Sequence, residues 1–202
     1  MKINSLWTLP LYFYLGIFLL QTSFIQAETR AYEMNLSKEA VQIEIPFEKQ
    51  EDPKECGLAV LKMISSFYDQ KLNQAQVDWV RINSTAGEGV MASELVTVLR
   101  AAGFETALYQ GTLNKDLTGL LRQLDKHRPV IVMITSKDGK SSHYDIVTGY
   151  DPVKHFLLLM DPATGPVTAL YKDFEPAWRR ANNFSLLAVP KKILEKTPTP
   201  TH

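Results

Sequence analysis

The chain has 202 residues, with 22 basic and 22 acidic side chains and therefore no formal net charge at neutral pH. No stretch concentrates lysine and arginine into a basic stripe, which argues against a nucleic-acid partner. A single cysteine excludes an internal disulfide, so the thiol is either kept reduced or pairs with another molecule.

The first 27 residues differ in composition from the rest of the chain. Lys2 is the sole charge before Glu28, and an apolar run over residues 7–20 gives way to a more polar segment that ends at Ala27. This pattern is typical of a secretory signal peptide, so we expect cleavage after Ala27 and a periplasmic or secreted protein. The alternative is an uncleaved inner-membrane anchor, since residues 3–27 are just long enough to span a bilayer. Membrane association is expected to be transient or confined to this N-terminus.

The remaining chain predicts one α+β domain, residues 46–190, between an entry segment (28–45) and a polar C-terminal tail (191–202). The entry segment contains an alternating apolar pattern through Val41 and Ile45 that predicts a short strand. The predicted helices are 56–68, 73–80, 91–102 and 113–126, and the later predicted strands are 104–109, 129–135, 143–150, 155–160 and 184–189. Helices that mostly precede strands favour N-terminal helices packed on a C-terminal antiparallel sheet.

Cys56 lies at the predicted start of the first helix. Asp52, Pro53 and Glu55 form a capping-box-like pattern just before it, and apolar residues recur at three- and four-residue spacing after it. A lone cysteine is commonly an inert buried residue. At a helix N-terminus, however, unpaired backbone N–H groups and the helix dipole stabilise a thiolate, which makes Cys56 a candidate nucleophile.

The predicted hairpin near the C-terminus supplies partners for this thiol. With its turn near residues 151–153, simple antiparallel register places His143 opposite Asp161, with Cβ atoms about 5 Å apart. A carboxylate there accepts a hydrogen bond from the imidazole and fixes its tautomer. Asp151 lies at the wrong end of the hairpin. Asp145 is a weaker rival, because it shares a face with His143 at a separation of about 6–7 Å.

A cysteine, a histidine and an aspartate suit acyl transfer, in which a thiolate attacks a carbonyl and the imidazole moves the proton. The developing oxyanion needs donors, and the backbone N–H of Cys56 and the side-chain amide of Gln50 are the candidates. His127 and His155 lack the cysteine or acidic neighbours of a metal site, so no metal or organic cofactor is predicted.

The pattern as a whole resembles the papain-like cysteine peptidases that process bacteriocin precursors after a double glycine. The residues that carry the resemblance are Gln50, Cys56-Gly57, Ala59, Met63-Ile64, Tyr68, His143-Tyr144 and Asp161-Pro162. The resemblance covers most of residues 46–190 and implies a papain-like fold. It also implies Gln50 in the oxyanion hole, Cys56 as nucleophile, His143 as base and acid, and Asp161 as the orienting carboxylate.

Two features depart from the family pattern. Glu55 stands where the family generally has Asp, and the exporter that usually follows this domain is absent from the sequence. The expected function is thus that of a stand-alone exported thiol endopeptidase that cuts an exported protein or peptide, after glycine or a small residue if the family's preference holds. A secretion apparatus is an expected partner, as in bacteriocin, biofilm or functional-amyloid secretion. Two alternatives stay open: a non-catalytic peptide-binding module, and a thiol acyltransferase of the same fold.

Overall fold

A computed structural model describes residues 35–86 and 89–194. The predicted signal peptide (1–27), the first part of the entry segment and residues 195–202 of the predicted tail lie outside the described residues. No helix in the described part of the chain combines the length and the apolar character needed to cross a membrane.

Seven strands in the described residues form one sheet. They are β1 (Val41–Gln42), β2 (Phe104–Gln110), β3 (Val130–Thr135), β4 (Ser142–Asp151), β5 (Phe156–Asp161), β6 (Gly165–Leu170) and β7 (Phe184–Pro190). The order across the sheet is β2-β7-β3-β4-β5-β6, and β1 pairs with the end of β4 beyond the last residue that β3 reaches. Every pairing is antiparallel, as expected for β3 to β6, which follow one another through short connections.

Within the part of the chain that the structure describes, six helices accompany this sheet. They are α1 (Cys56–Phe67), α2 (Gln74–Ala86), α3 (Ala92–Ala101), α4 (Leu120–Asp125), α5 (Tyr171–Arg180) and α6 (Lys191–Leu194). α1 packs against β4, and nine of its twelve residues are buried. Full burial of a Val, Leu or Met side chain contributes about 1.5–3 kcal/mol, so Val60, Leu61 and Met63 anchor α1 strongly in the core. This anchoring fixes the position of Cys56 at the start of α1.

Most of the predicted elements are present with ends that differ by one or two residues. The second helix extends to Ala86. The predicted helix over residues 113–126 is wrong in its first half, because only Leu120–Asp125 is helical. There Asn114 forms a local turn instead: its Oδ1 accepts the backbone N–H of Asp116 at 3.0 Å and the hydroxyl of Thr112 at 2.8 Å. Such side-chain bonds compete with helix formation.

The strand predicted in the entry segment is shorter than expected. Its regular pairing covers Val41 and Gln42, and the N–H of Ile43 then donates to the carbonyl of Thr148 at 2.7 Å. Ile43 and Ile45 are buried, so the alternating apolar pattern identified buried positions even where no regular strand forms. The sequence did not predict β6 or α5. β6 is an edge strand that pairs with β5. α5 contains Pro176, although proline is normally disfavoured inside a helix.

Candidate active site

Cys56 is the first residue of α1 and only 7% of it is exposed. The capping box predicted at Asp52 is wrong. Asp52 closes a turn before the helix, in which its Oδ1 accepts the N–H of Lys54 at 2.8 Å and its carbonyl accepts the N–H of Glu55 at 2.9 Å. Glu55 is the N-cap and makes no side-chain capping bond, because its carboxylate binds Arg81 of α2 at 3.1 Å. The carboxylate at the N-cap thus pairs with a cation on α2 and leaves the first backbone N–H groups of α1 without a side-chain cap from Glu55.

Gly57, the residue after the thiol, allows a close approach by the segment that leads into α3. A Cβ atom on Gly57 would lie 2.6 Å from the Cβ of Val90, which is buried. Real Cβ atoms do not approach so closely, so the contact between Val90 and the first turn of α1 requires glycine here. Cys56 is thus the candidate nucleophile, and the residue after it must be glycine for the first turn of α1 to pack against Val90.

The hairpin of β4 and β5 has a different register from the predicted one. Ile146 pairs with Met160 and Val147 with Leu159, and an irregularity follows between Val147 and Gly149. The ladder is shifted by two residues from the predicted alignment, and if it is continued it places Asp145, not His143, across from Asp161. An even shift leaves each side chain on its original face, so His143 and Asp161 still lie on the same side.

The predicted contact between His143 and Asp161 is confirmed despite the shifted register. His143 Nε2 lies 2.9 Å from Asp161 Oδ1. The same Oδ1 accepts the N–H of Ala163 at 2.7 Å, and Oδ2 accepts the hydroxyl of Thr164 at 2.7 Å. Burial raises the pKa of Asp161, but the bonds from Thr164, Ala163 and His143 outweigh it, so its pKa is lowered and the group stays an anion.

His143 connects the carboxylate to the thiol. Burial lowers the pKa of His143, but hydrogen bonds to Cys56 and Asp161 and the charge of Asp145 outweigh it and raise this pKa to about 9. Because Nε2 is engaged by Asp161, Nδ1 is the ring nitrogen left to face the thiol. The thiol of Cys56 and the carboxylate of Asp161 therefore act on one imidazole and favour its protonated form.

Gln50 lies beside the turn that follows Asp161. Its backbone N–H donates to the carbonyl of Pro162 at 2.9 Å, and its side-chain Nε2 donates to the carbonyl of Asp52 at 3.0 Å. Its Oε1 is buried and has no hydrogen-bond partner among the described residues. These contacts tie the loop before Cys56 to the turn after Asp161, while the part of Gln50 in an oxyanion hole stays a prediction.

Asp145 is closer to the site than the sequence indicated. Its side chain is 4% exposed, and its Oδ1 lies 3.7 Å from His143 Nε2. Burial raises the pKa of Asp145 to about 7, with a further increase from the charge of Asp161 and an opposing effect of His143. The signal in the sequence was the two-residue spacing from His143, which puts both side chains on one face of β4.

His143, Asp145 and Asp161 also group three potential ligand atoms within 4.8 Å of one another. The hydrogen bond between His143 and Asp161 already accounts for their proximity. We therefore interpret the group as an imidazole held by carboxylates, and the absence of a metal cofactor stays a prediction.

His127, His155 and Trp178 each contact other parts of the protein. His127 contacts the ring of Phe67, and His155 contacts Tyr171. Trp178 is buried, as expected of a core residue, and donates through its indole N–H to the carbonyl of Phe184 at 2.9 Å.

Comparison with known proteins identifies the family. Residues 44–192 match the family model described as the Peptidase C39 family. The chain is 31% identical over 134 residues to the transport/processing ATP-binding protein ComA of Streptococcus pneumoniae, which covers 65% of this chain and 17% of that protein. It is 30% identical over 142 residues to the Mesentericin-Y105 transport/processing ATP-binding protein MesD of Leuconostoc mesenteroides, which covers 69% of this chain and 18% of that protein. The matches thus span less than a fifth of these curated relatives.

Several solved structures have a fold similar to that of this chain. A double glycine motif protease from an AMS/PCAT transporter, solved with its leader peptide, has a TM-score of 0.55 at 21% identity and covers 75% of this chain and 95% of its own. The peptidase domain of Streptococcus ComA has a TM-score of 0.54 at 21% identity, covering 71% and 97%. A C39-like peptidase from Bacillus anthracis has a TM-score of 0.58 at 15% identity, covering 76% and 98%. The chain belongs to the Peptidase C39 family and is a cysteine peptidase with the α+β, papain-like fold of that family.

Proposed function

We propose that this peptidase is a thiol endopeptidase with Cys56 as its nucleophile, His143 as its base and acid, and Asp161 as its orienting carboxylate. The observation that carries the proposal is the 2.9 Å contact between His143 Nε2 and Asp161 Oδ1, on an imidazole whose pKa is also raised by the thiol of Cys56. A nucleophile, a base and a group that orients the base are the three parts that acyl transfer needs.

The chemistry follows from these positions. The Cys56 thiolate attacks the scissile carbonyl carbon, and the His143 imidazolium gives its proton to the leaving amine, so that a thioester and a free amine result. Neutral His143 then takes a proton from water, whose oxygen attacks the thioester; the carboxylic acid leaves, and the Cys56 thiolate and the His143 imidazolium are restored. Asp161 holds the ring orientation throughout. The N–H of Cys56, in the first turn of α1, and the amide of Gln50 are the proposed donors to the oxyanion.

We propose a peptide or protein substrate that is cut after glycine or another small residue. This specificity is supported by relatives that are named as transport and processing proteins, and by a similar structure titled as a double glycine motif protease in complex with its leader peptide. Glycine has no Cβ, which lets a substrate backbone approach a buried thiol such as Cys56 closely.

We propose that the enzyme works outside the cytoplasm as an accessory to secretion of a bacteriocin, a biofilm component or a functional amyloid. Support comes from the signal-peptide pattern of residues 1–27. Cell fractionation, combined with mass measurement of the protein's N-terminus, tests this location. An exported form that begins at Glu28 is expected, and a cytoplasmic form that still begins at Met1 would contradict the proposal.

Cleavage of designed peptides tests the reaction and its specificity. Purified protein is incubated with three peptides that differ only in one dipeptide, Gly-Gly, Ala-Ala or Val-Val, and products are weighed by mass spectrometry. Cleavage is expected after Gly-Gly, weaker after Ala-Ala, absent at Val-Val, and lost in Cys56→Ala. Peptides that bind but stay intact would indicate a binding module, and products with a new amide or ester would indicate an acyltransferase; either result would overturn the proposal.

A further inference from the structure

We propose that Asp145 is a positioning residue of this peptidase: a second carboxyl group that acts through His143 and shares the imidazolium with Asp161. The inference rests on the catalytic role proposed above for His143. It assigns a function to the buried carboxyl on β4 that the triad of Cys56, His143 and Asp161 does not use.

The geometry places two carboxyl groups against one ring nitrogen. His143 Nε2 lies 2.9 Å from Oδ1 of Asp161 and 3.7 Å from Oδ1 of Asp145. Asp161 reaches the ring from β5, and Asp145 reaches it from β4, two residues beyond His143 on the same face. The shifted hairpin register produces this arrangement, because its continuation brings Asp145 across from Asp161.

The burial of Asp145 calls for a compensating charge. The residue is 3% exposed, and its Oδ1 has no hydrogen-bond partner among the described residues. A carboxylate buried without a partner is costly, whereas one next to a cation is stabilised. The imidazolium of His143 supplies that cation, so the anionic form of Asp145 and the protonated form of His143 stabilise each other.

The surroundings of Asp145 leave His143 as its main electrostatic partner. Across the ladder, β3 presents the apolar Val132 to Asp145. The charged groups that shift the titration of Asp145 are His143 on its own strand and Asp161 on β5. The thiol of Cys56, from α1, acts on the same imidazole.

This arrangement predicts a second ionisation in the working pH range. Burial raises the pKa of Asp145 to about 7, so the group is a neutral acid below that pH and an anion above it. As the pH rises through about 7, the imidazolium of His143 gains a second anion beside it and is stabilised further. His143 then stays protonated further into the alkaline range than Asp161 alone would allow.

Titration of His143 by NMR tests the proposal without any substrate. We compare the wild type, Asp145→Asn, Asp161→Asn and the double variant, with the exposed Asp173→Asn on α5 as a matched control. Asp145→Asn is expected to lower the pKa of His143 by about one to three units, the usual effect of one nearby charge. The control is expected to leave it unchanged. An unchanged pKa of His143 in folded Asp145→Asn would overturn the proposal.

Asp161→Asn keeps the test decisive if Asp145→Asn fails to fold. In Asp161→Asn the remaining carboxylate is expected to hold the pKa of His143 above the ordinary value of about 6.5, and a fall to that value or below would overturn the proposal. Alkylation of Cys56 against pH in the wild type is expected to show a step near pH 7 that Asp145→Asn abolishes. A wild type that fails to cleave the peptides would count against the proposed function alone, because the His143 titration does not depend on cleavage.

Discussion

Substitution of Asp161 separates the charge of the orienting carboxylate from its hydrogen bonds. In Asp161→Asn, the amide oxygen is able to take the place of Oδ1 and accept from Ala163 and His143, while the amide NH₂ donates to the hydroxyl oxygen of Thr164. The charge is lost and the contacts are kept. Asp161→Ala removes the charge and the contacts together.

The expected magnitudes follow from these contacts. A hydrogen bond to a charged group contributes about 1.5–3 kcal/mol, and a neutral one about 1 kcal/mol. At about 1.4 kcal/mol per factor of ten, Asp161→Asn should slow the reaction of Cys56 by roughly 2- to 30-fold and Asp161→Ala by roughly 10- to 150-fold. The presence of Asp145 next to the same nitrogen favours the lower end of each range.

Alkylation by iodoacetamide measures this effect directly. The chain has one cysteine, so the mass of one adduct reports Cys56 alone, and Cys56→Ala gives the blank. Thr164→Val serves as the matched control, since it removes one bond to Oδ2 and leaves the contact with His143 in place. Its rate should stay close to that of the wild type. An Asp161→Ala variant that reacts as fast as the wild type, or an Asn variant slower than the Ala variant, would refute the reasoning.

Two further substitutions test the scaffold of the site. Gly57→Ala should lower the free energy of unfolding by about 1–3 kcal/mol, because its Cβ would lie 2.6 Å from that of Val90. In urea unfolding, the double variant Gly57→Ala/Val90→Ala should recover part of this loss. Equal stability of Gly57→Ala and the wild type would contradict the packing argument. Burial raises the pKa of Asp151, but the hydrogen bonds from Ser37, Lys154 and Val153 outweigh burial and lower this pKa to about 2. The ionised Asp151 therefore stabilises the fold above about pH 4, and this stabilisation is lost as the pH falls toward 2. The difference in Tm between the wild type and Asp151→Asn should therefore shrink from pH 7 to pH 3, and a constant difference would rule out this contribution.

The sequence predicted those elements whose local pattern agrees with their burial. α1 carries an apolar stripe and lies in the core, and β3 reads as a continuous apolar run and pairs on both sides. The missed elements lack such signals. β6 lies at the edge of the sheet, where only Gly165 is buried and three of its six residues are exposed, and α5 is polar overall with Pro176 inside. Their structure depends on contacts with β3 and β5 that no local window contains.

The site shows a similar division. The pairing of His143 with Asp161 was predictable because a shift of two residues in the hairpin preserves the face of each side chain. The shift itself was not predictable, since the irregularity near Thr148 arises from three-dimensional pairing with β1 as well as β5. The burial of Asp145 depends on the same pairing, which is why spacing along β4 alone underestimated it.

We propose that Cys56 cuts a peptide bond in another exported protein. Mass spectrometry of the N- and C-termini of exported proteins, compared between the wild type and a Cys56→Ala strain, tests this claim most directly. We predict at least one new terminus, following glycine or another small residue, that is present in the wild type, absent in Cys56→Ala and also absent in His143→Ala. Identical sets of termini in the wild type and both variants would contradict the claim.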